Sequence, residues 1–393
     1  MNKSLLDRFN LNNRNLYFFV LIFFLIIAFY NLNSGYIESS DSHRFSRWAN
    51  SLIELNFNLK EFYNIERADH RPHLFFFTTP VLLTSLCKVI FLNQWQIAFV
   101  ILNLVFIYFS LIYYTKSLLL IGVRPIFIFI SLPAIVMSVD ILIWPKYILS
   151  DSSYAFLVFL ANYFIIKSIF KDKFLYKEIF LIIFLLLASR PTSIPIIFAI
   201  LFFIMIYKLH LLSVHKNILL FIFFLFFSIP IILGIFYQLI DLNFNQIPKI
   251  NFLTSMVKKG MIIHDRPETW VGVPDSFLDI LYIYFLRFVN FFNPYAETFS
   301  ILHVLLNLFQ TFLIILSILI WFIFGNLIKS FNQIFLFVII LSFSVAAFHS
   351  FTLIDYDWRY RFPLILPLLT LFPLSLEIYA RKTLIKLTNI FIS

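Results

Sequence analysis

Glycine is scarce in this chain, with six in 393 residues, and cysteine is nearly absent, Cys87 standing alone. The first shortage counts against a secondary transporter built on Gly-interrupted half-helices that meet at mid-bilayer. The second excludes an intramolecular disulfide and a cysteine-based metal cluster. Charge is short as well: Asp, Glu, Lys and Arg make up 13% of the residues, against 61% hydrophobic ones. The polar face that a soluble globule needs is missing, so the chain reads as a polytopic membrane protein whose first partner is the lipid bilayer. Acids are scarcer than bases, 20 against 30, for a net charge of +10. The bases are scattered between apolar runs, which points to loop topology and not to a nucleic-acid partner.

What is present is a succession of apolar runs near the length a bilayer requires. Ten candidates fall at 16–32, 96–115, 125–144, 153–170, 179–189, 193–207, 218–240, 301–324, 334–349 and 362–379. No small-residue cleavage site follows 16–32, so it reads as a retained span and not a signal peptide. Two further runs, 74–92 and 280–292, are interrupted by polar residues or short, which leaves a count of 11 or 12 open. The expected fold is therefore an all-α transmembrane bundle forming one integral membrane domain over 1–393.

Loop charge sets the orientation. With ten spans and the N-terminus inside, Lys3, Arg8, Arg14, Lys116, Arg124, Lys171, Lys173, Lys177, Lys208, Lys216, Lys329, Arg381, Lys382 and Lys386 all fall on the cytoplasmic side, as the positive-inside rule asks. A crossing at 74–92 breaks that agreement, so this run is expected to be juxtamembrane or re-entrant. Among the acids only Asp7, Asp172, Glu178 and Glu377 then lie inside. Chemistry is expected on the outer face, in a first outer loop at 33–95 with juxtamembrane helices and a second at 241–300 with a candidate interfacial helix.

The first loop holds "SSDSHRFSRWANSL". Ser39 or Ser40 can cap a helix in which Phe45, Trp48, Ala49 and Leu52 recur every three or four residues, an apolar stripe able to lie on a membrane surface. Asp41 falls in its first turn, where it either completes the cap or waits as a proton acceptor. Asp151, in "LSDSSYAFL", stands at another outer mouth, as a helix cap, a partner to Asp41, or with it a ligand pair for a divalent cation such as Mg or Mn. "ADHRPHLFFFTTP" offers His70 and Arg71, which suit an anionic headgroup or snorkel at the interface. "DYDWRYRFPLILPLL" places Arg359 and Arg361 outside, against the charge rule. There they bind phosphate with Tyr360 stacking beside them, or pair with Asp355 and Asp357. The loop around "IIHDRPE" adds His264, Asp265 and Arg266 as further substrate-binding candidates, or as parts of a lid.

The order of these motifs resembles that of the GT-C integral-membrane glycosyltransferases, which depend on polyprenyl-phosphate sugars, in the group of the dolichyl-phosphate-mannose mannosyltransferases and aminoarabinose transferases. The similarity runs through "SDSHRFSRWANSL", "HRPHLFFFTTP", "LSDSSYAFL", "LASRPTS" and "WRYRFPLILPLL", and covers most of the chain. It implies Asp41 as the general base, Asp151 as a helper or metal-side residue, and Arg71, Arg359 and Arg361 on the carrier phosphate. The donor is then a polyprenyl-phosphate sugar, and the acceptor a hydroxyl on a glycan, lipid or protein. Hexosyl or pentosyl transfer with inversion is expected, at the periplasmic face of a bacterial inner membrane. The chain departs from the pattern at Ser40, where some relatives carry a second acid. No large soluble C-terminal domain follows the last span, which sets an oligosaccharyltransferase-type enzyme aside. Two other classes compete. One is a lipid-linked oligosaccharide polymerase or ligase; the other is a flippase or transporter using Asn103, Asp140, Asn162, His303 and Gln310 within its spans.

Overall fold

A backbone in hydrocarbon has no water to bond and must close its own hydrogen bonds, which favours helix in apolar runs. The computed structural model describes residues 12–68, 74–171, 174–208, 277–296, 299–324, 329–351 and 358–392. Among the described residues every named element is a helix. They are α1 (Asn13–Asn33), α2 (Ser40–Glu54), α3 (Leu59–Ala68), α4 (Thr78–Phe91), α5 (Trp95–Ile121), α6 (Pro125–Val136), α7 (Val139–Ile143) and α8 (Asp151–Lys171). There follow α9 (Tyr176–Leu187), α10 (Ile194–Lys208), α11 (Phe277–Phe291), α12 (Ile301–Phe324), α13 (Lys329–Phe351) and α14 (Phe362–Ile392).

Among the described residues seven helical stretches are long and apolar enough to cross a membrane, or eight when α6 and the segment Val139–Lys146, bent by 64° at their junction, count as one span. The protein is thus an all-α, multi-pass membrane protein. Of the ten expected spans, two are not among these stretches. Run 218–240 lies outside the described residues, and 179–189 becomes the 12-residue α9. Its stop has a local cause: a residue ahead of proline is pushed out of the α region, and Arg190, before Pro191, is extended at φ −161°, ψ 145°. Run 74–92 forms a short 3-10 turn, Leu74–Phe77, and then α4, whose 14 residues rise about 21 Å, short of the roughly 30 Å of a hydrocarbon core. Leu92, at φ +47°, breaks the helix, and α4 packs against α5.

By its contacts the chain divides into two units, Met1–Ile197 with Ile301–Leu336 and Phe362–Ser393, and Phe198–Ser300 with Phe337–Arg361. In the first, α5 packs against α1, α4, α8 and α14, and α14 also meets α6, α8 and α12. Side-chain hydrogen bonds tie some of these helices together. The Tyr114 hydroxyl on α5 donates to Ser131 Oγ on α6 (2.7 Å), and Gln310 Nε2 on α12 donates to the Ala134 carbonyl (3.3 Å). The outward sides of α1 and α12 show Phe18, Leu25, Phe29, Leu302, Phe312 and Phe322 to the surroundings, an arrangement stable in lipid and not in water.

At the C-terminal end of α5 the chain turns through Gly122, left-handed at φ +81°, where glycine carries no Cβ penalty. The buried Glu377 of α14 closes this end. Its Oε2 accepts from Arg124 Nε (3.0 Å) and from the Arg124 backbone N–H (3.1 Å). Its Oε1 accepts from Arg381 Nε (2.7 Å), while Arg381 Nη2 donates to the Gly122 carbonyl (2.9 Å). In the second unit, α11 and the later part of α13 meet through aromatic contacts, Phe288 with Phe343 and Phe291 with His349.

Candidate functional site

Asp41 owes its position to the way α2 begins and to what α2 packs on. Ser39 is the cap: its Oγ accepts from the Ser42 backbone N–H (3.4 Å), and Ser42 Oγ accepts from the Ser39 backbone N–H (2.9 Å), a reciprocal box. Asp41 follows in the first turn, its side chain 26% exposed, with Arg44 Nη1 3.5 Å from Oδ1. Beside it Glu38 lies 3.6 Å from His43 Nδ1 and accepts from Gln96 Nε2 (3.4 Å).

The apolar stripe of α2 does not lie on a bilayer. Phe45, Trp48 and Leu52 are buried in a core with Phe62, Leu74, Val81 and Leu149, and Ala49 is likewise buried. Periodicity foretells the stripe, but what covers it is protein. A cation fastens the same face: Lys88 Nζ on α4 donates to the Ser46 carbonyl (3.0 Å), Ser46 Oγ (2.7 Å) and Asn50 Oδ1 (2.7 Å), and lies 4.8 Å from the Trp95 ring centre. The capping box holds the head of α2 and the Lys88 bonds its middle, the kind of support that a positioned carboxylate requires.

The chain ahead of each acid is tied to the other. Ile37 and Tyr147 form an isolated parallel bridge, with the Ile37 N–H on the Lys146 carbonyl (3.0 Å) and the Ile148 N–H on the Ile37 carbonyl (3.1 Å). Asn103 Nδ2 holds that strand from α5 through the Pro145 and Tyr147 carbonyls (3.1 and 2.9 Å). Leu149 continues into the core under α2. The bridge joins the stretch leading to Asp41 with the stretch leading to Asp151, a link that no spacing in the sequence announces.

Asp151 itself is closed off. It is 1% exposed and Arg190 5%, and the two form a fork: Nη1 to Oδ1 at 2.6 Å and Nη2 to Oδ2 at 3.1 Å. The Arg190 guanidinium also stands 5.8 Å from the Tyr154 ring centre, and the Tyr154 hydroxyl donates to the Thr192 carbonyl (2.8 Å). The expectation that Asp151 assists proton transfer or holds a divalent cation meets a carboxylate whose two oxygens and whose charge are already matched. Asp151 does not fit a metal ion unless Arg190 leaves. No group of three or more His, Cys, Asp or Glu side chains gathers among the described residues. Arg190 was visible in the sequence only as an Arg-Pro step; an arginine between two apolar runs is itself the signal that an acid must face it.

Of the cationic candidates, His70, Arg71, His264, Asp265 and Arg266 lie outside the described residues. Arg359, Tyr360 and Arg361 belong to the second unit and form a short 3-10 turn, Trp358–Arg361. Arg361 Nη1 donates to the Asn293 carbonyl (2.7 Å), and the Arg359 guanidinium lies 5.4 Å from the Tyr360 ring centre. Tyr360 stacks on His349 (4.1 Å, 15°), which in turn lies parallel to Phe291 (5.9 Å, 7°). His349 closes an apolar run, and its place in this stack was not foreseen. A buried Arg287 on α11 belongs to the same unit.

The polar residues weighed for transport have mostly structural duties. Asn103 holds the bridge strand, Gln310 ties α12 to α6, and Asp140 Oδ1 accepts from Trp144 Nε1 (3.1 Å). His303 is half-buried on α12. Asn162 alone among them is buried with neither amide atom hydrogen-bonded. Fold and site together define a polytopic α-helical membrane protein with a part-exposed acid at the head of α2 and a buried ion pair between Asp151 and Arg190. No protein-family model matches the chain, nor does any curated protein or solved structure.

Proposed function

We propose that the protein is a membrane glycosyltransferase that moves a sugar from a polyprenyl-phosphate carrier to an acceptor hydroxyl, with Asp41 as general base. One observation carries the reading: Asp41 is a part-exposed carboxylate at the head of a helix fixed by a cap, a core and the Lys88 clamp. An alcohol is a poor nucleophile until a carboxylate takes its proton during attack. Asp41 Oδ accepts that proton as the acceptor oxygen bonds to the anomeric carbon. The bond from that carbon to the phosphate oxygen breaks, and the polyprenyl phosphate leaves with the electron pair. A single displacement inverts the anomeric centre.

Negative charge grows on the departing phosphate, and guanidinium groups set beforehand around it stabilise that charge. Arg71, Arg359 and Arg361 are the candidates that the sequence motifs alone offer for that role. Asp151 is assigned no proton: paired with Arg190, it acts as an anchor for the chain that carries the Ile37–Tyr147 bridge. On the topology argued from loop charge the reaction belongs at the extracytoplasmic face, where a lipid-borne donor meets the acceptor, and the family resemblance adds a bacterial plasma membrane.

The test is sugar transfer by the purified full chain in vesicles loaded with polyprenyl-linked sugars extracted from the native host. Asp41→Asn is expected to lose about a hundredfold or more, the usual worth of a general base. Equal transfer by a natively folded Asp41→Asn protein defeats the assignment.

A further inference from the structure

A cation near a membrane surface either meets a carboxylate of its own protein or leaves its charge to water and lipid headgroups. In the first unit Arg124 and Arg381 close on Glu377, and Arg190 on Asp151. Lys116 on α5 and Lys167 on α8 do otherwise: among the described residues neither has an ion pair or a hydrogen bond, and both stand over aromatic rings. Lys116 Nζ lies 5.2 Å from the centre of the Tyr113 ring. Lys167 Nζ lies 5.6 Å from the centres of both Tyr163 and Phe164. The two tyrosines meet across the seam between α5 and α8, their ring centres 4.9 Å apart. One pair of rings thus carries two ammonium groups, from two helices, on one patch. From α1 comes Tyr17, within electrostatic reach of Tyr163, and one turn before it the exposed Arg14.

The patch ends an apolar stripe. Ile97, Ile101, Val105 and Phe109 recur every four residues on α5 and all are exposed, and Tyr113 and the exposed Lys116 prolong the row. Phe156 of α8 lies alongside, its ring centre 6.4 Å from that of Phe109 and 6.2 Å from that of Tyr113. Along the seam the chemistry therefore passes from hydrocarbon rings to phenols and then to cations. A phospholipid presents the complement in the same order: acyl chain, ester region, phosphate. A soluble anion would answer the lysines and leave the stripe bare, and a zwitterionic lipid brings a cation of its own. We propose that the α5–α8 seam holds an anionic phospholipid, its headgroup at Lys116 and Lys167 and an acyl chain along Phe109 and Phe156. Loop charge puts this end of the helices inside, so the lipid is one of the cytoplasmic leaflet. The inference does not depend on the glycosyltransferase reading.

The experiment is native mass spectrometry of the purified full chain in detergent, titrated with dioleoyl phosphatidylglycerol or, in parallel, dioleoyl phosphatidylcholine. The natural chain is expected to take up phosphatidylglycerol in preference. Lys116→Gln with Lys167→Gln should weaken that uptake by about tenfold or more, the order that two cations beside an anionic headgroup supply, and leave phosphatidylcholine uptake as it was. Lys177→Gln with Lys382→Gln removes the same charge elsewhere on the side that loop charge places inside, and should change little. If the first double variant melts early, Lys116→Gln alone, at an exposed side chain, reads the same direction. Equal uptake of the two lipids, or uptake unmoved by the Lys116 and Lys167 variants, overturns the proposal and leaves the seam in contact with bulk lipid only. An equal loss in both double variants also overturns it, because the attraction is then diffuse. Displacement of phosphatidylglycerol by inorganic phosphate at equal concentration overturns the lipid as occupant and hands the lysines to a free anion.

Discussion

Two buried carboxylates, Glu377 and Asp151, are treated differently. Glu377, 3% exposed, is gripped by two arginines that themselves reach outward, Arg124 at 29% and Arg381 at 40%. Asp151 and its partner Arg190 are both shut in, at 1% and 6%. Around Glu377 both carboxylate oxygens are met, and the Arg124 guanidinium, whose Nη2 makes no hydrogen bond, lies over the Phe127 ring (4.7 Å). Next to Asp151 and Arg190 in the chain, Ser150, Ser152, Thr192 and Ser193 keep hydroxyls without a hydrogen bond. The first cluster has the form of a clamp between α14 and the α5–α6 turn. The second is a closed fork between the start of α8 and the chain just beyond α9.

Breaking the shut-in pair should show the largest effect. Arg190→Met leaves a buried carboxylate uncompensated and is expected to lose about 3–5 kcal/mol of unfolding free energy in mixed micelles, while Asp151→Leu with Arg190→Met recovers most of it. If the single variant resists denaturant as the natural chain does, the pair is no anchor. Glu377→Gln should lose less, about 2 kcal/mol, because its arginines can turn to solvent once the acid's charge is gone. A loss equal to that of Arg190→Met would erase the contrast between the two carboxylates. Lys88→Met removes three hydrogen bonds to α2 and is expected to cost about 1–2 kcal/mol. Tryptic cleavage at Arg44 and Arg47 should then quicken, and unchanged cleavage would mean that the apolar core alone holds α2. Ser39→Ala removes the cap for about 1 kcal/mol, and Ser39→Asp should keep it. Equal denaturation of the two would discount the capping box.

How much of this was legible in the chain varies with distance. The capped start of α2, its stripe and the place of Asp41 in its first turn depend on neighbours a few residues away, and they read correctly. The stripe's partner did not, since 3.6-residue periodicity says which residues share a face and nothing of what meets it. Arg190 lies far along the chain from Asp151, and their meeting depends on how α8 and α9 pack together. The same holds for Asn103 and Gln310, polar residues in apolar runs that could equally have lined a pathway. In the second unit Arg359 and Arg361 stood out by their charge, while the His349–Tyr360 stack joins segments with no shared pattern.

The sequence by itself determined the solvent of this protein and the material of its fold. Hydropathy adds up locally, so apolar runs in lipid must become helices whatever they later touch. Helix starts, the α9 stop before Pro191 and the scarcity of buried charge follow from the same short-range terms. Only the tertiary structure decided which carboxylate is closed and which is open. Burial and ion pairing depend on distances of a few ångströms between residues far apart in the chain, and those exist only once the helices have packed.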